Sequence, residues 1–251
     1  MLADEELRRF LERLLGWSSD RAVDHALRSI DLAATHRAHL VLCGEGDLVP
    51  TAHALHRRMA ANGPFIVCDP RRGNMRESVR SPANFESGLA AFEAAVGGSL
   101  CVRSRRLPRD FLGLAARLRN AEDVVLLVVR DDKRDDLHPL LVRPEPITVP
   151  PLASRAGDLP RIIDEYAADA MTELGALNAR FTEADRRWVG EHAATSLAEI
   201  EKATLRLVAI RTSRNVSVAA ARLGMAPVSL IRWVQRRTAT PRLAIEPMHP
   251  S

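Results

Sequence analysis

Leu7, Phe10, Leu11, Leu14 and Leu15 recur at helical spacing in DEELRRFLERLLG, residues 4–16, and Gly16 supplies a stop, so the chain opens on an amphipathic helix. A second helix is expected over about 20–35. From His39 the pattern changes: HLVLCGEGD reads as a short apolar strand running into a glycine turn, and TAHALHRRMAANG as a helix ended at Asn62-Gly63. The alternation then repeats. PFIVCD is strand, FESGLAAFEAAVGG helix ending in paired glycines, SLCVR strand, PRDFLGLAARLRNA helix, and DVVLLVVRDD the cleanest buried strand. Continuous apolar strands alternating with helices predict an α/β fold, a parallel sheet flanked by helices on both faces. The proline-rich EPITVPPLASRAGDLP marks a boundary. Beyond it RIIDEYAADAMTEL, FTEADRRWVGEHA and a run from about Ser196 to Arg211 all read as helix.

From Asn215 the chain reads NVSVAAARLGMAPVSLIRWVQRR. Asn215 and Ser217 suit a helix start, Val218, Ala219, Ala220 and Leu223 give a short apolar face, Gly224 permits a sharp turn, and Pro227 suits a first helical position. This spells helix, tight turn, helix. In helix-turn-helix proteins the second helix enters the major groove with residues near its start at the base edges. Here that helix is about Pro227 to Arg237. Val228, Ser229 and Arg232 are expected to face DNA, Leu230, Ile231 and Val234 to pack inward, and Arg222, Arg236 and Arg237 to approach phosphates. The full candidate set is Ser217, Arg222, Pro227, Val228, Ser229, Arg232, Trp233, Arg236 and Arg237. Trp233, like Trp188, also reads as a packing residue. The alternative for the whole segment is an ordinary helical hairpin with solvated arginines.

Composition changes this picture little, and charge changes it more. With 251 residues, 46% hydrophobic and 27% charged, the chain is long enough for one sizeable core and a small second domain, which excludes a disordered tail or a coiled-coil rod. No apolar run approaches the roughly 18 residues of a membrane span, and the amino terminus is charged from its fourth residue, so a cytoplasmic protein without a membrane partner is expected. Cys43, Cys68 and Cys101 lie far apart and read as buried thiols. Residues 206–242 hold eight arginines and no Asp or Glu, whereas residues 1–205 hold 28 basic and 31 acidic residues, a net charge of −3. An acid-free, arginine-bearing end after a near-neutral body is the electrostatic footprint of a nucleic-acid-binding module, a solubilising or acidic-partner tail being the alternative.

At its carboxy-terminal end, over Ser196 to Arg237, the chain resembles the Fis-type helix-turn-helix of the bacterial enhancer-binding activators of sigma-54 RNA polymerase, in its asparagine, its paired alanines, the Leu-Gly at the turn, and the Ser-Leu and arginine of the second helix. The resemblance continues upstream through CGEGD with HALH, GPFIVCD, FEAAVGGSL, DVVLLVV and ITVPPLASRAGDLP, in the order of that family's AAA+ ATPase domain, and covers about residues 21–237. It implies an AAA+-like parallel sheet flanked by helices, an all-helical lid and a C-terminal helix-turn-helix. The corresponding segments are an N-terminal helix (1–20), a degenerate AAA+-like domain (21–160), a lid (161–195), the helix-turn-helix (196–240) and a flexible tail (241–251). No separate receiver or ligand-sensing domain is expected in the first 20 residues.

The departures from the family concern nucleotide chemistry. A phosphate loop needs glycines, a lysine and a Ser/Thr hydroxyl for magnesium. After Gly44-Glu45-Gly46 this chain reads Asp47-Leu48-Val49-Pro50-Thr51, with no Gly-Lys pair. Arg103 and Ser104 stand where the family carries its two acids, Val128-Val129-Arg130 replaces the polar sensor, and Ala198 stands where a sensing arginine is expected. The sigma-54-contacting insertion is missing. An arginine serves neither as metal ligand nor as general base, so no ATP hydrolysis, no enzymatic activity and no cofactor are expected. Arg103, Arg105, Arg106 and Arg109 read as a solvated charge run or, less well, an anion site. His53 and His56, one helical turn apart, lack a third ligand of matching spacing for a metal.

The reading is thus a cytoplasmic, nucleoid-associated, sequence-specific DNA-binding regulator acting on double-stranded DNA as a homodimer or higher homo-oligomer. The alternative is a protein-interaction scaffold, docking through the AAA+-like domain onto an active homologue or another partner, with DNA binding secondary.

Overall fold

In a computed structural model, residues 2–36, 39–59, 62–77, 81–130, 145–176 and 180–237 are described. The strands are β1 (Leu40–Cys43), β2 (Phe65–Cys68), β3 (Ala83–Phe85), β4 (Ser99–Arg103), β5 (Val125–Arg130) and β6 (Ile147–Thr148). They lie in the order β3-β2-β4-β5-β1-β6, parallel at every pairing. Every residue of β1, β2 and β5 is buried, as strands covered on both faces must be, which is why these segments read as unbroken apolar runs and not as alternation.

Two faces follow from the period of two. Ile66, Cys68, Leu100, Val102, Leu126 and Val128 form one core with Ala91 of α4 (Gly88–Ala94) and with Phe111, Leu114 and Leu118 of α5 (Phe111–Arg119). Phe65, of opposite parity, meets α3 (Val49–Met59), where the His53 ring stacks on it at 4.7 Å. The amino-terminal α1 (Leu2–Leu15) packs against α2 (Asp20–His36), and α2 against β1 and β6. Asp110, just before α5, accepts hydrogen bonds from Gly88 N, Leu89 N and Ser87 Oγ at the start of α4. Burial works to raise its pKa, but these three donors outweigh it and hold the carboxyl below its ordinary range.

The parallel α/β sheet is as expected, with two additions. β3 and β6, of three and two residues, were too short to register as periodic pattern, and β6 lies inside the proline-rich segment read as a boundary. The last two residues expected in the DVVLLVVRDD strand, and the tail over 241–251, lie outside the described residues.

The chain divides into two compact units, Met1–Asp158 and Leu159–Ser251. In the second, α6 (Leu159–Glu173), α7 (Glu183–His192), α8 (Leu197–Arg211), α9 (Val216–Arg222) and α10 (Pro227–Arg237) are all helical. Thr182 and Asp185 cap α7 reciprocally, and Ser196 caps α8 through Glu199 N. Leu197, Ile200, Ala203, Leu207 and Val208 of α8 are buried, and α8 packs on α6, α7 and α9. The segments resembling a lid and a helix-turn-helix therefore share one core with α8 at its centre. None of the described helices is long and apolar enough to cross a membrane.

Candidate functional site

Parallel strands bring their carboxyl ends to one edge, the place where open α/β sheets receive ligands. On that edge β1 leads into Gly44–Asp47, β2 into Asp69, and β4 ends at Arg103. Asp47 Oδ1 accepts a hydrogen bond from Val49 N at 3.0 Å at the start of α3 and another from Arg103 Nη2 at 2.7 Å. A carboxylate of the chain thus occupies the positive end of the helix, the position a phosphate takes in a nucleotide-binding loop. Gly44 has a packing reason of its own: a Cβ there would stand 3.0 Å from the Val149 carbonyl, beside the hydrogen bond from Val149 N to Cys43 O.

Asp69, fully buried, is the second anchor. Its Oδ2 lies 3.0 Å from Arg106 Nη1, 3.2 Å from Arg103 Nε and 3.8 Å from Arg72 Nε, and Oδ1 accepts from Arg71 N. Asn84 fixes the Asp69 backbone by one hydrogen bond in each direction, both 3.0 Å. Arg72 also reaches Asp47 at 3.7 Å. Two carboxylates and three guanidiniums therefore tie together the loop after β1, the loop after β2 and the end of β4. This corrects the solvated-run reading of the arginines: the Arg103 side chain is only 12% exposed and spans both carboxylates, and Arg106 is held by Asp69. Arg105 and Arg109 are exposed. Arg130 is buried at the end of β5, and among the described residues one of its guanidinium nitrogens has no hydrogen-bond partner.

The two histidines of α3 are used by the fold. His56 Nδ1 is 2.9 Å from Ser99 Oγ and its Nε2 3.0 Å from the Gly63 carbonyl, which must accept from Nε2–H. Burial lowers the His56 pKa, and burial followed by the neighbouring Arg57 and His56 lowers that of His53 to about 4. Cys43, Cys68 and Cys101 are buried thiols, and burial pushes those of Cys68 and Cys101 up to about 12.

In the second unit, Asn215 Oδ1 accepts from Val218 N at 2.9 Å and starts α9. The helix ends with Gly224 N bonding Ala221 O and Met225 N bonding Ala220 O, the paired bonds of a Schellman turn, which requires the positive φ of 60° that Gly224 adopts. Pro227 then opens α10 with no N–H to satisfy. Ala219, Ala220, Leu223 and Leu230 have no exposure at all. Asn215, Gly224 and Pro227 thus act as their residue types predict.

Of the candidate DNA-facing residues, Ser217, Pro227, Val228, Ser229, Arg232 and Arg236 are exposed, five of them on α10. The side chain of Arg237 lies outside the described residues. Three expectations are corrected. Trp233 leaves the DNA-facing set for the packing role also read for it, turned inward at 7% exposure, edge-on to Trp188 at 5.5 Å with the Arg206 guanidinium 4.9 Å over its ring. Arg222 is drawn to Thr212 Oγ1 at 2.7 Å and to the Leu174 carbonyl, holding helix ends instead of reaching outward. Ile231, expected in the packing face, is 42% exposed. The signal was in the chain: at 100° per residue Trp233 shares the stripe of Leu230, while Ile231 sits a quarter-turn away with Val228.

No protein-family model matches the sequence, and none of the curated proteins does. Among solved structures, NtrX from Brucella abortus in complex with ADP aligns with a TM-score of 0.50 at 16% identity, over 93% of this chain and 72% of that one. NtrX from the same organism in complex with ATP gives a TM-score of 0.46 at 16% identity, over 86% and 67%. At this identity the likeness is one of fold, and the chain has an α/β AAA+-like fold.

Proposed function

We propose that the chain is a transcriptional regulator that binds double-stranded DNA through α9 and α10, and that its α/β unit hydrolyses no ATP. The observation that carries the reading is the outward face of α10, where Ser229, Arg232 and Arg236 stand exposed in a stretch of eight arginines without one acid. The capped, glycine-turned helix pair beneath it supplies the rigid support that groove binding requires. The AAA+-like fold and the motif order along the chain support descent from sigma-54 enhancer-binding activators. The ion pairs at the carboxyl edge support the loss of hydrolysis: Asp47 sits at the helix end a phosphate would need, and Arg103 stands in place of an acid. The regulator acts in the cytoplasm as a dimer or larger homo-oligomer, so that two recognition helices meet successive major grooves about 34 Å apart.

Mobility-shift measurements with the full chain on fragments of its own genome test this reading. Wild type is expected to shift duplex DNA at low salt, and the triple variant Arg232→Ala, Arg236→Ala, Arg237→Ala to weaken binding at least tenfold. Unchanged binding by the variant would overturn the DNA role. Incubation with ATP and magnesium is expected to release no phosphate above background, whereas turnover would overturn the second half of the reading.

A further inference from the structure

Among the described residues the exposed large apolar side chains are Leu32, Met75, Val96, Leu112, Val228 and Ile231, and only the last two share a helix face. They lie at i and i+3 on the outward side of α10, opposite buried Leu230 and Trp233, at 49% and 42% exposure. Helical rise separates them by about 4.5 Å along the axis. Arg232 flanks them on the same surface, and Arg236 continues it one turn on. An apolar pair on the first turns of an outward helix face, followed by two exposed arginines, calls for a partner that is anionic and carries small apolar groups beside its charge.

On the reading that α10 enters the major groove, we infer that Val228 and Ile231 read thymine methyl groups on neighbouring base pairs, with Arg232 taking an adjacent guanine or phosphate. Thymine is the one base that presents an aliphatic group in the major groove, its C5-methyl, and successive base pairs rise by about 3.4 Å along the duplex. Specificity at the centre of each half-site then comes from apolar burial and not from a bidentate hydrogen bond. Charge decides against the other occupant of an apolar helix face, the same face of a second copy. Twofold pairing there would bring Arg232 and Arg236 against their own counterparts with no acid in residues 206–242 to offset them.

The test uses the full chain and a duplex selected from random sequence for binding, in which each thymine is replaced in turn by deoxyuridine, which lacks only the methyl. One or two neighbouring positions are expected to lose about fourfold in affinity each, the ratio for burying a single methyl-sized group. Val228→Ala and Ile231→Ala are expected to bind the thymine duplex more weakly while losing this discrimination, and Arg232→Ala to weaken binding yet keep it. Specific binding indifferent to every deoxyuridine would overturn the methyl readout and leave the DNA reading standing. Failure to select any sequence would overturn both. A dimer that Val228→Ala and Ile231→Ala dissolve, with deoxyuridine without effect, would assign the pair to self-association.

Discussion

His53 is a residue whose titration the fold moves within the range where unfolding can be followed. Its ring is stacked on Phe65 and partly desolvated, with Arg57 and His56 beside it, and its pKa is lowered to about 4 from 6.5. The unfolded chain therefore binds a proton below about pH 6.5 that the folded chain refuses until about pH 4. Stability from this residue is fully present above pH 6.5 and is lost as pH falls through that window, with His56 adding in the same direction. Thermal unfolding followed from pH 7.5 to pH 4.5 is expected to show a falling midpoint, and His53→Gln to flatten the slope. A variant that keeps the wild-type slope would contradict the assignment. At this scale the sequence was legible for type and poorly for partner. Asn215, Gly224 and Pro227 have local chemistry and behave as it dictates, whereas Arg103 and Arg222 are decided by Asp69, Asp47 and Leu174, 34 to 56 positions away along the chain.

Between elements, the ion-pair cluster joins the loop after β1, the loop after β2 and the end of β4. Asp69 has no exposure and faces three guanidiniums, so its removal leaves Arg103 with Asp47 and takes from Arg106 the carboxylate that holds it. Breaking a buried pair from one side costs about 3–5 kcal/mol. Asp69→Ala is therefore expected to lower unfolding stability in urea by about 3 kcal/mol. Asp47→Ala, whose carboxylate is 43% exposed, should cost about 1 kcal/mol through the lost α3 cap. Equal and small losses would mean that the cluster does not hold the edge together. Strand and helix alternation was visible because each long element carries its own period. β3 and β6 were not, since pairing with β2 and β1 is what makes those few residues strands. The paired glycines after α4 were visible as a helix stop, but their second reason was not: a Cβ on Gly98 would stand 2.1 Å from the Pro64 carbonyl, a contact between distant segments.

For the molecule as a whole, the charge division is what the proposed DNA binding rests on: a body at −3 is joined to an acid-free end with eight arginines, of which Arg232 and Arg236 stand exposed on α10. The class of fold was legible because its cues are repetitive and spread along the chain. The sharing of one core by α6 to α10 was not, because it depends on α8 packing against three helices at once. The decisive measurement is genome-wide sequencing of DNA co-precipitated with the tagged full chain, beside a variant carrying Arg232→Glu and Arg236→Glu, both at exposed positions that leave the core intact. Sharp peaks with paired half-sites, abolished in the variant, are the predicted result. Diffuse or absent enrichment in wild type, or peaks that survive the charge reversal, would contradict DNA recognition by α10.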